Sequence, residues 1–307
     1  MITLLIQKVL SMFLLSAVGY ICFRTKKVTM EGCRTISNIL IFLSLPCVIL
    51  NGFLVEFSKE KLLGLIFSTV AALIVILVSV IISRLFFSKD AVLNFAAAFS
   101  NPGFFGVPLI VASLSDGTVF YVATFIAFTN LFQWTYGVAL LTKENKKTVP
   151  GNIVKRFLTA PFMIATLVGM FFFLTRIPMP KLILQTIHSI SGLNTPLAMF
   201  TIGIYFAQTN PAQMFKKVKL YKMSLVSLIV IPLVSMFVLC IFPDQFVEMK
   251  TALLLVAACP AGTNVAIYAQ LYDSDYTYAV ESIIISTLFS IITIPLVVKL
   301  AEMIHVI

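Results

Sequence analysis

Two short segments hold most of the chemistry open to this sequence: Ser100-Asn101-Pro102-Gly103-Phe104-Phe105-Gly106-Val107-Pro108 and Cys259-Pro260-Ala261-Gly262-Thr263-Asn264. Each sets a proline beside small or polar residues at the middle of a long apolar run. Proline lacks an N–H and clashes with the preceding turn, so a helix breaks there and leaves backbone groups without partners. Lipid cannot satisfy those groups, and such breaks therefore lie beside protein or a water-filled cavity. If the two breaks cross at the bilayer midplane, two half-helix N-termini point into one cavity and favour an anion there. Asn101, Pro102, Gly103 and Phe104 on one side, and Pro260, Ala261, Gly262, Thr263 and Asn264 on the other, are the candidate binding residues. They predict a neutral pocket with a positive bias and an aromatic wall, suited to a small carboxylate with an apolar body or to a compact dicarboxylate. A single proline break reads first as a packing kink. Paired breaks at corresponding points of two halves are the sequence pointer to the binding site of a secondary transporter.

Other polar residues in apolar surroundings have two readings each. Asn130 and Gln133, with Thr129 beside them, either face the cavity or join helices by hydrogen bonds. Glu281 is the one acid placed inside a span, where it either stabilises a helix N-terminus or couples protons. Asp275 is read as the N-cap of that helix. Lys8 is read as snorkelling to the outer interface and His188 as interfacial.

Enzyme constellations are missing. The chain has no GxxxxGK[ST], HExxH or GxSxG, and its two histidines, His188 and His305, stand far apart. An ATP-driven pump or intramembrane hydrolase would need one of these, so the energy source is read as a gradient. Four of the five cysteines lie in apolar stretches and the fifth, Cys33, precedes one; no CxxC or Cys/His spacing occurs. Disulfides, metal and cofactor are not expected.

The elements that must position the two breaks follow from composition. Apolar residues make up 60% of the chain and charged ones 11%, with a mean hydropathy of +1.05. Those values belong to a polytopic membrane protein. The net charge of +10 sits in short loops, where it sets topology, so nucleic acid is excluded as a partner and the bilayer is the implied one. Runs of about 20 residues, enough to cross a bilayer, begin near Leu4, Ile36, Leu62, Val92, Thr118, Phe157, Leu182, Leu220, Met249 and Tyr276. The first could be mistaken for a signal peptide, since Ala17-Val18-Gly19 resembles a cleavage site. The positive cluster follows that run, which is therefore read as a mature helix.

An all-α protein of ten transmembrane helices is expected. The loops after helices 1, 3, 5, 7 and 9 hold 15 of the 22 basic residues, which places them in the cytoplasm and both termini outside. The longest basic loop follows helix 5. Residues 1–145 and 157–307 then form two five-helix repeats joined by a cytoplasmic linker, 146–156, and an odd number per repeat makes them antiparallel. Internal matches support this: Val18-Gly19 with Val168-Gly169 and Pro46 with Pro196 share an offset of 150, and the broken helices 4 and 9 match at 158.

The ordered motifs resemble the auxin efflux carrier family of bacteria and plants, which includes plant auxin exporters and bacterial malate or malonate permeases. They are Asn101-Pro102-Gly103-Phe104-Phe105-Gly106-Val107-Pro108-Leu109, Thr195-Pro196-Leu197 with Ile202-Gly203, Cys259-Pro260-Ala261, and Ser286-Thr287-Leu288 with Pro295. The resemblance implies an inverted repeat with crossing helices 4 and 9, as in the bile-acid symporters. It also implies a scaffold of helices 1, 2, 6 and 7, often dimeric, and a mobile unit of helices 3–5 and 8–10. The substrate carboxylate would be held by asparagines, here Asn101 and Asn130. The long cytoplasmic loop of many plant members is absent, so regulation by its phosphorylation is not implied. Nor does the helix 9 break carry the acid of the sodium-coupled relatives.

The expectation is a secondary transporter of small organic anions in a bacterial cytoplasmic membrane, working by an elevator-type motion. The alternatives are a sodium-coupled importer of bile-acid-type anions and a non-transporting membrane sensor. The missing acid weighs against the first. A sensor would be expected to carry an appended soluble domain, and none is read here.

Overall fold

The computed structural model describes residues 2–114, 116–145, 155 and 158–307. These residues are helical, with no strand among them and one isolated bridge. In chain order the helices are α1 (Ile2–Arg24), α2 (Met30–Phe53), α3 (Lys59–Phe87), α4a (Ala91–Ala98), α4b (Pro102–Ser113) and α5 (119–145). They continue as α6 (Pro161–Thr175), α7 (Lys181–Ala207, with a turn at Gly192 and Leu193), α8 (Val218–Leu239), α9a (Val247–Ala257), α9b (Asn264–Leu271) and α10 (Tyr276–Met303). Six of them, α1, α2, α3, α7, α8 and α10, are long and apolar enough to cross a membrane. The expected linker 146–156 falls outside the described residues except for Lys155, and so does Phe157.

Short polar side chains start the helices. Ser58 Oγ accepts the Lys61 N–H at 3.0 Å and Asp90 Oδ1 accepts the Leu93 N–H at 3.1 Å. Asp275 Oδ1 accepts the Tyr278 N–H at 2.8 Å, the capping role expected of it. Thr29 likewise caps at Gly32, so α2 begins at Met30 and not near Ile36. The apolar run starts late because the first turns of α2 are polar while still helical. Among the described residues four wide, π-type turns interrupt the helices, and three of them, Leu40–Ser44, Pro102–Gly106 and Val226–Val230, lie just before Pro46, Pro108 and Pro232. Each widening falls where the proline ring would strike the carbonyl four residues back.

Packing divides the helices into two sets. In one, α1 lies along the second half of α7, and α2 lies against α6 and both halves of α7. In the other, α3 packs on α4a, α5 and α8, α8 on α9a and α10, and α9b on α10. The sets touch where α1 meets α4b and α10, where α2 meets α5, and where α7 meets the first turn of α4b. Glycines allow the closest approaches in the first set. A Cβ on Gly203 would lie 1.8 Å from the Ser16 carbonyl oxygen, and one on Gly19 would lie 2.4 Å from that of Phe200. Large side chains such as Leu14, Leu85, Leu182 and Ile241 point outward. A bilayer covers such a surface without cost.

Candidate functional site

The two proline breaks meet. After α4a the chain is extended at Phe99 and Ser100, and after α9a it runs through Cys259 to Gly262 before α9b begins. Ser100 and Ala261 form an antiparallel bridge. Asn101 N–H donates to the Pro260 carbonyl and Gly262 N–H to the Phe99 carbonyl, both at 2.9 Å. Ser286 of α10 accepts the Ala261 N–H at 3.1 Å. The backbone groups freed by one break are thus satisfied largely by the other, which is what a buried break requires. Gly262 sits tight in this seam, where an added Cβ would be 3.0 Å from the Ser100 carbonyl oxygen.

The sequence pointed to N–H groups open to the cavity, and the structure caps several of them. Asn101 Oδ1 accepts the Phe104 N–H at 3.2 Å, and the Asn101 carbonyl accepts those of Phe105 and Gly106. Spending its oxygen on the helix leaves the Asn101 amide nitrogen, buried and without a hydrogen-bond partner. A buried unpaired amide donor costs about 1–3 kcal/mol unless something accepts from it.

Beside it lies a cavity of about 320 Å³. Nine of the residues singled out in the sequence line it: Asn101, Pro102, Gly103, Phe104, Asn130, Gln133, Gly262, Thr263 and Asn264. Pro260 and Ala261 do not; they are buried in the seam. The wall is completed by Ile41, Phe42 and Leu45 of α2, Trp134 of α5, Phe162 of α6 and Tyr268 of α9b. No lining residue is charged. Of the two readings given to the α5 amides, Gln133 combines both, because its Oε1 accepts from Asn264 Nδ2 at 2.6 Å while it lines the cavity. Asn130 lines the cavity with its amide nitrogen bonded to the Ile126 carbonyl at 2.8 Å. Trp134, Tyr268 and Ser286 were not singled out as site residues: Trp134 is the one tryptophan and Ser286 belongs to one of the ordered motifs, but no local pattern says which helix each faces.

Glu281 is elsewhere. It is buried on α10 and its Oε2 takes a 2.5 Å ion pair from Lys217, which precedes α8 and keeps its side chain partly in solvent. Removing either partner is therefore unequal. Lys217→Met strands a buried carboxylate and is expected to cost about 3 kcal/mol, whereas Glu281→Gln releases a lysine that reaches water and costs about 1 kcal/mol. Thermal unfolding in detergent measures both; equal losses would dismiss the asymmetry.

Helices long enough to cross a membrane, folded around an internal cavity at two joined breaks, define a multi-pass membrane protein built to take a solute into its interior. The chain belongs to the membrane transport protein family, whose profile matches residues 4–298, and this is the auxin efflux carrier family of the resemblance. A protein of Rhizobium meliloti (strain 1021) named "Putative malonate transporter" is 24% identical over 304 residues, covering 93% of this chain and 92% of that one. The protein is accordingly a membrane transporter and not an enzyme.

Proposed function

We propose that this chain is a secondary transporter of small organic acid anions, with the cavity at the joined breaks as its binding site. The unpartnered Asn101 amide nitrogen carries the reading, because it is a buried donor awaiting an acceptor. A carboxylate oxygen is the acceptor that suits the partial positive charge of the neighbouring helix starts. The lining favours one carboxylate and an apolar or aromatic body: Phe42, Phe104, Trp134, Phe162 and Tyr268 offer ring faces, and no cation is present to pair a second charge. The relative's malonate remains the comparison compound.

Alternating access is proposed through two inverted repeats of five helices, crossing in the manner of the bile-acid symporters. The support is internal. Gly19 and Gly169, at the shared offset of 150, both hold close approaches, to Phe200 and Phe53 respectively. The two packing sets match a scaffold of α1, α2, α6 and α7 and a mobile unit of α3–α5 and α8–α10. Dimerisation would use the outward faces of the scaffold. Both termini are proposed to lie outside a bacterial cytoplasmic membrane; the partition of basic residues supports the orientation, and a reporter fusion giving a cytoplasmic signal at either terminus would refute it.

Uptake of labelled phenylacetate, malate and malonate into proteoliposomes tests the function. At least one acid should be carried, and replacing sodium by potassium should leave the rate unchanged, since the α9 break contains no acid. A bound acid at a hundredfold excess over Kd should also raise stability by about 2.7 kcal/mol. If protons are coupled, Glu281 is the carboxylate assigned to them. A protein that neither moves nor is stabilised by any of the three acids is not this transporter.

A further inference from the structure

Across the joined breaks from the binding cavity lies a second recess of about 290 Å³. It is built from residues further along α2 and α4b, Asn51, Val107 and Val111, and from His188, Asn194 and Thr195 around the turn in α7, a helix that does not line the first cavity. No acidic residue lines it. The cavity at Asn101 borders Phe162 at the start of α6, which follows the longest basic loop, and α9b, whose following loop carries Asp273 and Asp275 and no base. The recess borders α4b and the start of α5, whose connecting loop carries no base. On the topology proposed above, in which the α6 side is cytoplasmic and the α4b–α5 loop is outside, the two hollows face opposite sides of the membrane.

Their linings are also related by the internal repeat. At the offset of 150, Ile41, Phe42 and Leu45 of the inner cavity correspond to Ser191, Gly192 and Thr195 of the recess. The two turns touch, with Ser44 Oγ donating to the Ile190 carbonyl at 3.0 Å. At these three positions the inner side is apolar or aromatic and the outer side small, while Val48, Val107, Pro108, Val111 and Val119 make the rest of the recess wall apolar.

One side chain sits between them. Asn194 lines the recess, is 2% exposed, and donates from Nδ2 to the Gly103 carbonyl of the inner cavity at 3.3 Å. Its Oδ1 is buried without a partner. Asn194 also begins the 14-residue second half of α7, whose first turn has the N–H groups of Asn194 and Thr195 but none at Pro196. A free acceptor beside helix-start donors suits a group that both donates and accepts, a protonated carboxyl or the hydroxyl of a hydroxy acid.

Resting on the transporter reading, we propose that the recess is a second station for the polar end of the substrate on the outer side, and that Asn194 divides it from the inner cavity. A hydroxy acid such as malate occupies this station before or after the mobile unit shifts, its carboxylate accepting from the helix start and Asn51 and its hydroxyl donating to Asn194 Oδ1.

The test uses an impermeant maleimide on membrane vesicles of either orientation, with phenylacetate, malate and malonate as probes and the unsubstituted chain as background. Thr195→Cys and Val111→Cys should label in right-side-out vesicles, and at least one acid should slow labelling at Thr195→Cys tenfold or more. Ile267→Cys, in the inner cavity, should label in inside-out vesicles alone and be protected by the same acid. Adding Asn194→Ala should abolish protection at Thr195→Cys and leave it at Ile267→Cys, a split that a purely structural role would not give. Protection at Ile267→Cys without protection or outside labelling at the recess overturns the station alone. Protection at neither position counts against the transporter reading as well, and labelling of both from one side counts against the inverted repeat. Protection at Thr195→Cys that survives Asn194→Ala removes Asn194 from the proposal.

Discussion

Replacing Asn101 by alanine is expected to weaken binding of the transported acid about tenfold to a hundredfold. The amide nitrogen is a buried donor with no partner in the protein, and a hydrogen bond to a charged acceptor contributes about 1.5–3 kcal/mol. Alanine also removes the oxygen that caps α4b at the Phe104 N–H, a loss of about 1 kcal/mol of stability. Asn101→Asp separates the two effects. Aspartate keeps a capping oxygen, removes the donor and puts a negative charge beside the carboxylate, so binding should fall at least as far as in the alanine variant while the melting temperature stays near wild type. Pro102→Ala and Pro260→Ala should reduce transport less than either, because the breaks they mark are held open by the Asn101–Pro260 and Gly262–Phe99 backbone bonds and by Ser286. Isothermal titration and proteoliposome flux measure these quantities. Wild-type binding in both Asn101 variants would mean that the joined breaks are a packing device, and the site would have to be sought around Asn130 and Gln133.

Gly203→Val should give the largest loss of stability in the molecule, at least about 3 kcal/mol. The new Cβ would stand 1.8 Å from the Ser16 carbonyl oxygen and within 2.8 Å of the Tyr20 N. Backbone cannot swing aside as a side chain does, so α1 and α7 would have to separate along their contact. Gly32→Ala is the control. There the nearest atom is Val28 Cγ1 at 3.1 Å, on the exposed first turn of α2, and removing a glycine from a helix favours folding by about 0.5–1 kcal/mol. Thermal unfolding of the two variants in the same detergent should move in opposite directions. A Gly203→Val protein as stable as the wild type would show that α1 and α7 do not pack as closely as described.

Both predictions depend on features of different origin. That helices break at Pro102 and Pro260 was legible in the sequence, because a missing N–H and a ring clash act within one turn and need no partner. The helix start at Asp275 and the membrane class were legible for the same reason: caps and hydropathy are properties of short windows. The start of α2 was misplaced where a polar first turn concealed the Thr29 cap. Many of the residues that line the cavity were also in view, since amides and glycines beside a broken helix are conspicuous in an apolar chain.

What those residues do was decided only by the tertiary structure. Whether the freed N–H groups face a ligand or another backbone depends on which segment 160 or so residues away comes to lie beside them, and the bridge between Ser100 and Ala261 is a matter of packing that no local pattern encodes. The same holds for Asn101, whose oxygen turned inward to its own helix while its nitrogen stayed free, and for Gln133, whose partner Asn264 stands on another helix. Glu281 was conspicuous as an acid in an apolar run, yet its role rests on Lys217 reaching it from a loop before α8. Asn194 carried no local signal at all. A side chain in an apolar helix gains its function from what the neighbouring helices leave unpaired, and that is settled when they pack.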